Sequence, residues 1–528
     1  MGDWGNSGCA TEAFDSLRPD SGWWQACMAD PSRGRWGGEV SVQFEGCFPV
    51  WRGRRGCSVA LWKLFFLIFT LVFQWQTAVA QHAGRRPSIV VILSDDLGYG
   101  ELGCYGQQLI QTPCLDRMAA GGLRLTRFYA GATVCAPSRS VLMTGQHHGR
   151  TRVRGNAGAA NPAAQALRAE DLTVAELLQS CGYRTALFGK WGLGDVGAAA
   201  SGLPGRQGFD EFFGYLNQQH AHNHFPSFLW ENEQRVQLRN KVQAAGNTGA
   251  GYATEAVEYA DDLFAERSLR FVRENRDRPF FLFWSLVTPH ANNERTRELK
   301  NGAHVPDFGP YAERDWSEQD RGHAAMITRL DAHVGRLLDE LRVLGLEQNT
   351  LVLFSSDNGP HNESGHTPAR FQPAGPFSGL KRSLTDGGIR VPCLAWWPGT
   401  ITAGTVSDRA AYFGDVMATA AELAGCPAPL GIDSLSLVPV LKGQSDRVER
   451  HEFLYWEFHE GGFRQACLYA ERWKAIRSLG GAVQLFDTAS DVAEKMDVAA
   501  EHPEIASRVS RWLDEARSES PDWVPRGK

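Results

Sequence analysis

The chain has 528 residues, 43% hydrophobic and 22% charged, the proportions of a soluble globular protein. That length allows two or three ordinary domains, or one large α/β domain with an appendage. A formal net charge of −6 gives no basis for a nucleic-acid partner. Of the 17 Trp, most are expected to pack a core, with some able to line a cleft.

The first recognisable element is a leader. Arg52, Arg54, Arg55 and Lys63 precede the apolar run Leu64–Phe73, and Ala78-Val79-Ala80 follows with small residues. A basic region, a short apolar region and a cleavage site predict a secretory signal cut after Ala80, and thus export to the periplasm or the extracellular space. The run is shorter than a membrane span of about 20 residues. A signal anchor is the alternative, and membrane contact is expected only if the signal stays uncleaved. Residues before about Trp51 lack periodicity, as expected if the start site is assigned too far upstream, and residues 1–80 are set apart from the fold. Of the 11 cysteines, Cys104, Cys114, Cys135, Cys181, Cys393, Cys426 and Cys467 lie beyond the cut. Setting Cys135 aside leaves an even number, which permits disulfides in an exported protein, and Cys104 with Cys114 is the one close pair.

Beyond the leader, the β-branched run Ser88–Leu93 reads as a buried strand ending at Ser94-Asp95-Asp96. Cys135 stands at the mouth of a predicted helix, with Pro137 in its first turn and Gly145 at its end. Such an N-terminus offers free N–H groups to an anion, and Arg139 lies one turn on. A buried structural thiol is the competing reading. Thr173-Val174-Ala175-Glu176 opens a helix with a capping box that Gly182 closes, and strand Thr185–Phe188 ends at Gly189-Lys190-Trp191-Gly192. A charged helix over Asp261–Asn275 leads to strand Phe280–Leu286, ending at Thr288-Pro289-His290. A helix carrying Ile327, Leu330, Val334, Leu337, Leu338 and Leu341 leads to strand Leu351–Phe354, ending at Ser356-Asp357-Asn358-Gly359. Open α/β sheets place ligands beyond the carboxyl ends of their strands, so Asp95, Asp96, Lys190, His290, Asp357 and Asn358 are expected on one rim. Residues 411–425 read as one more helix. Pro427, Pro429 and Pro439 suggest a boundary, followed by short strands near 452–458, 467–469, 473–477 and 484–487 and a last helix over 504–517.

Asp95, Asp96, Asp357 and Asn358 are hard oxygen donors, suited to Ca²⁺ and less well to Mg²⁺. Either pair alone is an ordinary turn sequence; both at strand ends, with Cys135 between them in the chain, point to a metal centre. The run Cys135-Ala136-Pro137-Ser138-Arg139, with Thr144-Gly145 after it, resembles the signature of the formylglycine-dependent sulfatases. The resemblance spans about Arg86 to the C-terminus and includes several motifs in order. It implies the alkaline-phosphatase-like α/β fold, a large mixed sheet flanked by helices with a smaller C-terminal antiparallel sheet and helix. The catalytic domain is then expected over 81–435 and the antiparallel subdomain over 436–528.

The resemblance further implies that a formylglycine-generating enzyme oxidises Cys135 to formylglycine (3-oxoalanine), whose hydrate attacks sulfur. Asp95, Asp96, Cys135, Asp357 and Asn358 would surround the metal. Arg139, Lys190 and Lys381 would hold the sulfate, with Arg382 competing for the role of Lys381, and His290 would protonate the leaving alcohol. The family often has histidine where this chain has Gly192, so the base for the hydrate is open among His220, His222, His224 and His361. The expected substrate is a sulfated carbohydrate or an aryl sulfate. A phosphonate or phosphodiester hydrolase on the same fold is the nearest alternative, and a catalytically silent protein that binds sulfated glycans is another.

Overall fold

The computed structural model describes residues 86–157, 161–444, 447 and 449–527. The expected leader and its cleavage site lie outside them. Among the described residues, no helix is long and apolar enough to cross a membrane.

The strands in chain order are β1 Ser88–Asp95, β2 Leu123–Tyr129, β3 Arg184–Lys190, β4 Glu211–Tyr215, β5 Phe228–Glu231, β6 Gln234–Gln237, β7 Lys241–Ala244, β8 Gly251–Glu255, β9 Phe280–Pro289, β10 Thr350–Ser356, β11 Arg390–Trp396, β12 Thr405–Ser407, β13 Ala411–Tyr412, β14 Phe453–Phe458, β15 Arg464–Tyr469, β16 Trp473–Ser478 and β17 Gln484–Asp487. The large mixed sheet runs β12-β2-β11-β10-β1-β9-β3-β4-β5-β6, with β13 beside β2. At its centre β10, β1, β9 and β3 are parallel, so the carboxyl ends of four neighbours share one edge.

Those central strands are apolar on both faces, and the period-2 alternation of a strand sends neighbours to opposite layers. Ile89, Val91, Phe281, Phe283 and Leu353 face one core, where helices Val174–Ser180 and Asp415–Ala424 lie. Val90, Ile92, Leu282, Trp284 and Phe354 face the other, under helices Ala260–Glu274 and Glu318–Val343. Burying each such side chain contributes about 1.5–3 kcal/mol, which is why this centre can hold charged groups at its edge.

The Thr173–Glu176 capping box forms as expected. The region expected to be one helix over 411–425 divides: Ala411–Tyr412 pairs with β2, and the helix starts at Asp415. Asp415 Oδ2 accepts from the N–H of Tyr412 at 3.0 Å, which turns the chain from strand into helix.

The C-terminal residues form the antiparallel sheet β14-β15-β16-β17 and helix Pro503–Glu515. Trp456 of β14 is fully buried, and its indole donates to the carbonyl of Ala130 at 2.8 Å. Lys474 of β16 is buried between Asp386 Oδ1 at 2.9 Å and Glu494 Oε1 at 3.1 Å. Cys104 and Cys114 are not bridged to one another; the disulfide joins Cys181 to Cys426 across a separation of 245 residues. Sequence proximity misled here because the two helix ends carrying Cys181 and Cys426 meet only in the folded layer.

Candidate active site

Cys135 is the first residue of the helix Cys135–Thr144, all of whose residues are buried, and Gly145 ends it at φ 66°. The approach is close: a Cβ on Gly131 would lie 2.8 Å from the Ser138 carbonyl oxygen and 2.5 Å from Val141 Cβ. Cys135 Sγ sits 3.5 Å from Asp95 Oδ1 at the end of β1. Burial, then the Asp95 charge, pushes the Cys135 thiol up. An unmodified thiol here is therefore a poor nucleophile, since the thiolate is the reactive form.

Three buried carboxylates alternate with three buried cations around this atom. Lys190, ending β3, places Nζ 2.5 Å from Asp95 Oδ2. Arg139 grips Asp357 Oδ2 with Nε at 3.1 Å and Nη2 at 2.8 Å, while its Nη1 donates to the Lys190 carbonyl at 2.7 Å. Lys381 Nζ lies 2.8 Å from Asp96 Oδ2 and 3.2 Å from His290 Nε2. Two formal triplets of opposite sign offset one another, which is what permits so many charges in an apolar sheet edge. Burial, together with the neighbouring Asp95, pushes Asp357 up to about 7.

The backbone is shaped to bring the ligands together. Asp96 takes φ 67°, and its N–H donates to Asp357 Oδ1 at 3.1 Å. Asn358 Nδ2 donates to Asp96 Oδ1 at 2.7 Å, whereas Asn358 Oδ1 is buried with no hydrogen-bond partner. An orphaned amide oxygen beside three carboxylates is the donor set of a hard cation, so Asp95, Asp96, Asp357 and Asn358 fit a bound Ca²⁺ or Mg²⁺. Donor atoms of Asp95, Asp96, Cys135 and His290 lie within 4.8 Å of one another.

The loop after Gly379 sends Lys381 and Arg382 in opposite directions. Lys381 N donates to Pro360 O at 2.9 Å and Arg382 N to Thr133 O at 3.0 Å, strapping the loop to the Cys135 turn. Lys381 then points inward, while Arg382 turns out to Glu363 and Glu460 with its side chain 42% exposed.

Three of the other histidines gather around His290. His222 stacks on it with centroids 5.0 Å apart and pairs with Glu294 at 3.1 Å. His224 Nε2 meets the His290 carbonyl at 2.8 Å. His361 Nε2 meets the Pro289 carbonyl at 3.0 Å, and its ring lies 6.2 Å from that of His290. His220 is elsewhere: it is a buried packing residue against Tyr215 and Phe228. The space in front of Gly192 is filled by Gln218, whose Nε2 lies 2.2 Å from where a Cβ on Gly192 would stand.

Sequence reasoning missed Ser285, whose hydroxyl meets both Arg139 Nη1 and the Lys190 carbonyl, and Glu363, 3.5 Å from Lys381 Nζ. Ser285 is the polar residue inside the apolar run of β9, which was a usable signal. Glu363 sits in a polar loop and carries none.

A family model described as sulfatase matches residues 87–426, and one described as N-sulphoglucosamine sulphohydrolase, C-terminal, matches 378–519. The chain belongs to the sulfatase family of the alkaline phosphatase superfamily and is a sulfuric ester hydrolase. It is similar to human (Homo sapiens) arylsulfatase A, 35% identical over 70% of this chain and 71% of that protein. It is also similar to mouse (Mus musculus) steryl-sulfatase, 33% identical over 75% of this chain and 70% of that one. Among solved structures, Ps i-CgsB in complex with k-i-k-neocarrahexaose shares the fold at TM-score 0.68 and 24% identity, covering 84% of this chain and 95% of that one. A phosphonate monoester hydrolase of Agrobacterium radiobacter shares it at TM-score 0.57 and 19% identity, over 84% and 100% of the two chains.

Proposed function

We propose that this sulfatase is exported and cleaves carbohydrate or aryl sulfates with a formylglycine that a formylglycine-generating enzyme makes from Cys135, beside a bound Ca²⁺. The observation that carries the reading is the placement of Cys135 Sγ, 3.5 Å from Asp95, within the ring formed by Arg139, Lys190 and Lys381. Conversion to an aldehyde hydrate supplies the nucleophile that a buried, raised-pKa thiol cannot. Asp95, Asp96, Asp357 and Asn358 Oδ1 would hold the cation, Ca²⁺ in preference to Mg²⁺; when bound, it supplies Lewis-acid polarisation of a sulfate oxygen.

The chain's own residues do the rest. Arg139 is spent on orienting Asp357 and the carbonyl end of β3. Lys190 and Lys381 bring fixed positive charge to a sheltered site, where it stabilises the negative charge that grows as the S–O bond breaks. His290 Nδ1 meets the Ala291 carbonyl at 2.7 Å, which leaves Nε2 facing the site beside Lys381. Burial and Lys381 hold the imidazole well below its usual range. His290 Nε2 and Lys381 Nζ, 3.2 Å apart, are therefore the two groups placed to pass a proton to the leaving alcohol.

Export rests on the leader ending at Ala80, and the Cys181–Cys426 disulfide fits an oxidising compartment. The test is the mass of the tryptic peptide Phe128–Arg139 from a host that converts a control sulfatase. Conversion lowers it by about 18 Da, a covalent change. An unmodified peptide in a protein that still releases sulfate from 4-nitrophenyl sulfate would sink the formylglycine reading.

A further inference from the structure

Of the three histidines beside His290, His222 alone is tied to a carboxylate at one nitrogen and open at the other. Its Nδ1 donates to Glu294 Oε2 at 3.1 Å. Burial works to raise the Glu294 carboxyl, yet the bond from His222 holds it below its ordinary range. An ionised carboxylate only accepts, so in the neutral imidazole the proton sits on Nδ1 and Nε2 is an acceptor. That Nε2 has no hydrogen-bond partner in the protein, and with the side chain 15% exposed it is not sealed in as both nitrogens of His220 are. His361 differs: its Nε2 meets the Pro289 carbonyl, and its Nδ1 accepts from the N–H of Glu363 at 3.0 Å. His224 gives its Nε2 to the His290 carbonyl and is fully buried.

The position of His222 is fixed by contacts on both sides. Its ring lies within 11° of parallel to that of His290, so a group held at His222 stands beside the imidazole that faces the leaving alcohol. On its other side, Glu294 also lines an open groove of about 390 Å³, together with Gln243, Tyr252, Arg297 and Glu298. That volume falls within the roughly 300–1,000 Å³ of small-molecule sites. The groove wall is braced by Asn292, which accepts from the N–H of Arg295 at 2.9 Å and donates to the Gly251 carbonyl of β8 at 3.0 Å. Groove, Glu294, His222 and His290 thus form one chain of direct contacts.

The chemistry of this chain narrows the ligand. An acceptor nitrogen open to the site calls for a hydroxyl donor, which the ring of a simple aryl sulfate lacks. Tyr252 offers a ring face to the C–H groups of a sugar, and Gln243 and Glu298 offer polar atoms to its hydroxyls. Arg297, the cation of the lining, already lies 3.3 Å from Glu294 Oε1, so the groove favours neutral hydroxyls over a second sulfate.

We propose that His222 and the groove beyond Glu294 form the subsite for the leaving-group sugar of a carbohydrate sulfate, with His222 Nε2 accepting from a sugar hydroxyl and Glu294 as its positioning residue. The proposal deepens the functional reading above and rests on its carbohydrate branch.

The test sets galactose 6-sulfate, N-acetylgalactosamine 6-sulfate and N-acetylglucosamine 6-sulfate against 4-nitrophenyl sulfate, which has no hydroxyl. His222→Phe keeps a flat ring against His290 but has no acceptor nitrogen. It is expected to lower kcat/KM for at least one sugar sulfate by tenfold or more beyond its effect on 4-nitrophenyl sulfate, chiefly through KM, as the loss of one hydrogen bond. Glu294→Ala is expected to shift the same ratio in the same direction, and Glu294→Gln, which can still accept from Nδ1, to restore most of it. Equal losses on both substrate classes, or no loss on either, would overturn the subsite while leaving the sulfatase reading intact. A wild type that turns over 4-nitrophenyl sulfate but none of the sugar sulfates would overturn the carbohydrate branch and the subsite together. If Cys135 proves unmodified, calorimetric binding of the same four compounds replaces turnover. A Kd for a sugar sulfate weakened tenfold more than that of 4-nitrophenyl sulfate in His222→Phe then supports the subsite although the formylglycine reading has failed, and an unchanged ratio overturns it.

Discussion

Lys381 Nζ stands 3.2 Å from His290 Nε2 and 2.8 Å from Asp96 Oδ2, so one ammonium joins the His290 side of the site to the side where the carboxylates gather. Its neighbour Arg382, with its side chain 42% exposed, spends its charge on Glu363 and Glu460. Lys381→Met is expected to lower kcat on 4-nitrophenyl sulfate by about 10²–10³, the usual cost of losing one preorganised donor. Arg382→Ala is expected to stay within a fewfold of wild type. Steady-state kinetics on the two variants checks the pair, and similar losses in both would remove the distinction.

Chelation is expected to abolish turnover and to lower the melting temperature together, because Asp95, Asp96 and Asp357 are all fully buried. Adding back Ca²⁺ at 100 times its Kd is expected to restore about 2.7 kcal/mol of stability, with Mg²⁺ restoring less at equal concentration. Thermal unfolding with and without each ion reads this. A melting temperature indifferent to both ions would count against the donor set.

The Cys181–Cys426 bridge ties the end of helix Val174–Ser180 to the end of helix Asp415–Ala424, closing a very long loop. Cys426→Ala is expected to destabilise the protein by about 2–4 kcal/mol with little change in KM, because the cross-link acts mainly on the unfolded chain. Denaturant unfolding beside kinetics separates the two effects.

Glu494 offers a pH signature away from the catalytic centre. Burial pushes its carboxyl up to about 7, against the pull of Lys474. The folded protein thus keeps a proton that the unfolded chain releases between the ordinary glutamate range and about 7, so this group's contribution to stability falls as pH rises through that window. Glu494→Gln cannot lose that proton and is expected to flatten the decline in melting temperature between about pH 5 and 7. An unchanged slope would show that Lys474 keeps Glu494 ionised.

Much of this was legible in the chain. The apolar runs at Ser88, Thr185, Phe280 and Leu351, each ending in polar residues, predicted parallel strands with a shared functional edge, and β1, β3, β9 and β10 place Asp95, Lys190, His290 and Asp357 there. The physical cause is local: hydrophobic periodicity selects the strands, and a parallel sheet aligns their carboxyl ends. Side-chain direction was not legible in the same way. That Lys381 turns inward and Arg382 outward depends on the Pro360 and Thr133 carbonyls, more than 20 and more than 240 residues away. Likewise His220, His222 and His361 look alike in sequence, yet one packs against Tyr215 and Phe228 while the other two gather around His290.

By itself, the sequence determined the strand-and-helix alternation and the Cys135-Ala136-Pro137-Ser138-Arg139 run at a helix start, because each depends on residues close together in the chain. Tertiary structure alone decided the Cys181–Cys426 pairing, the inward lysine and the filling of the Gly192 space by Gln218. Those outcomes depend on distances between segments far apart in the chain, which packing of the two layers onto the sheet sets and no local pattern encodes.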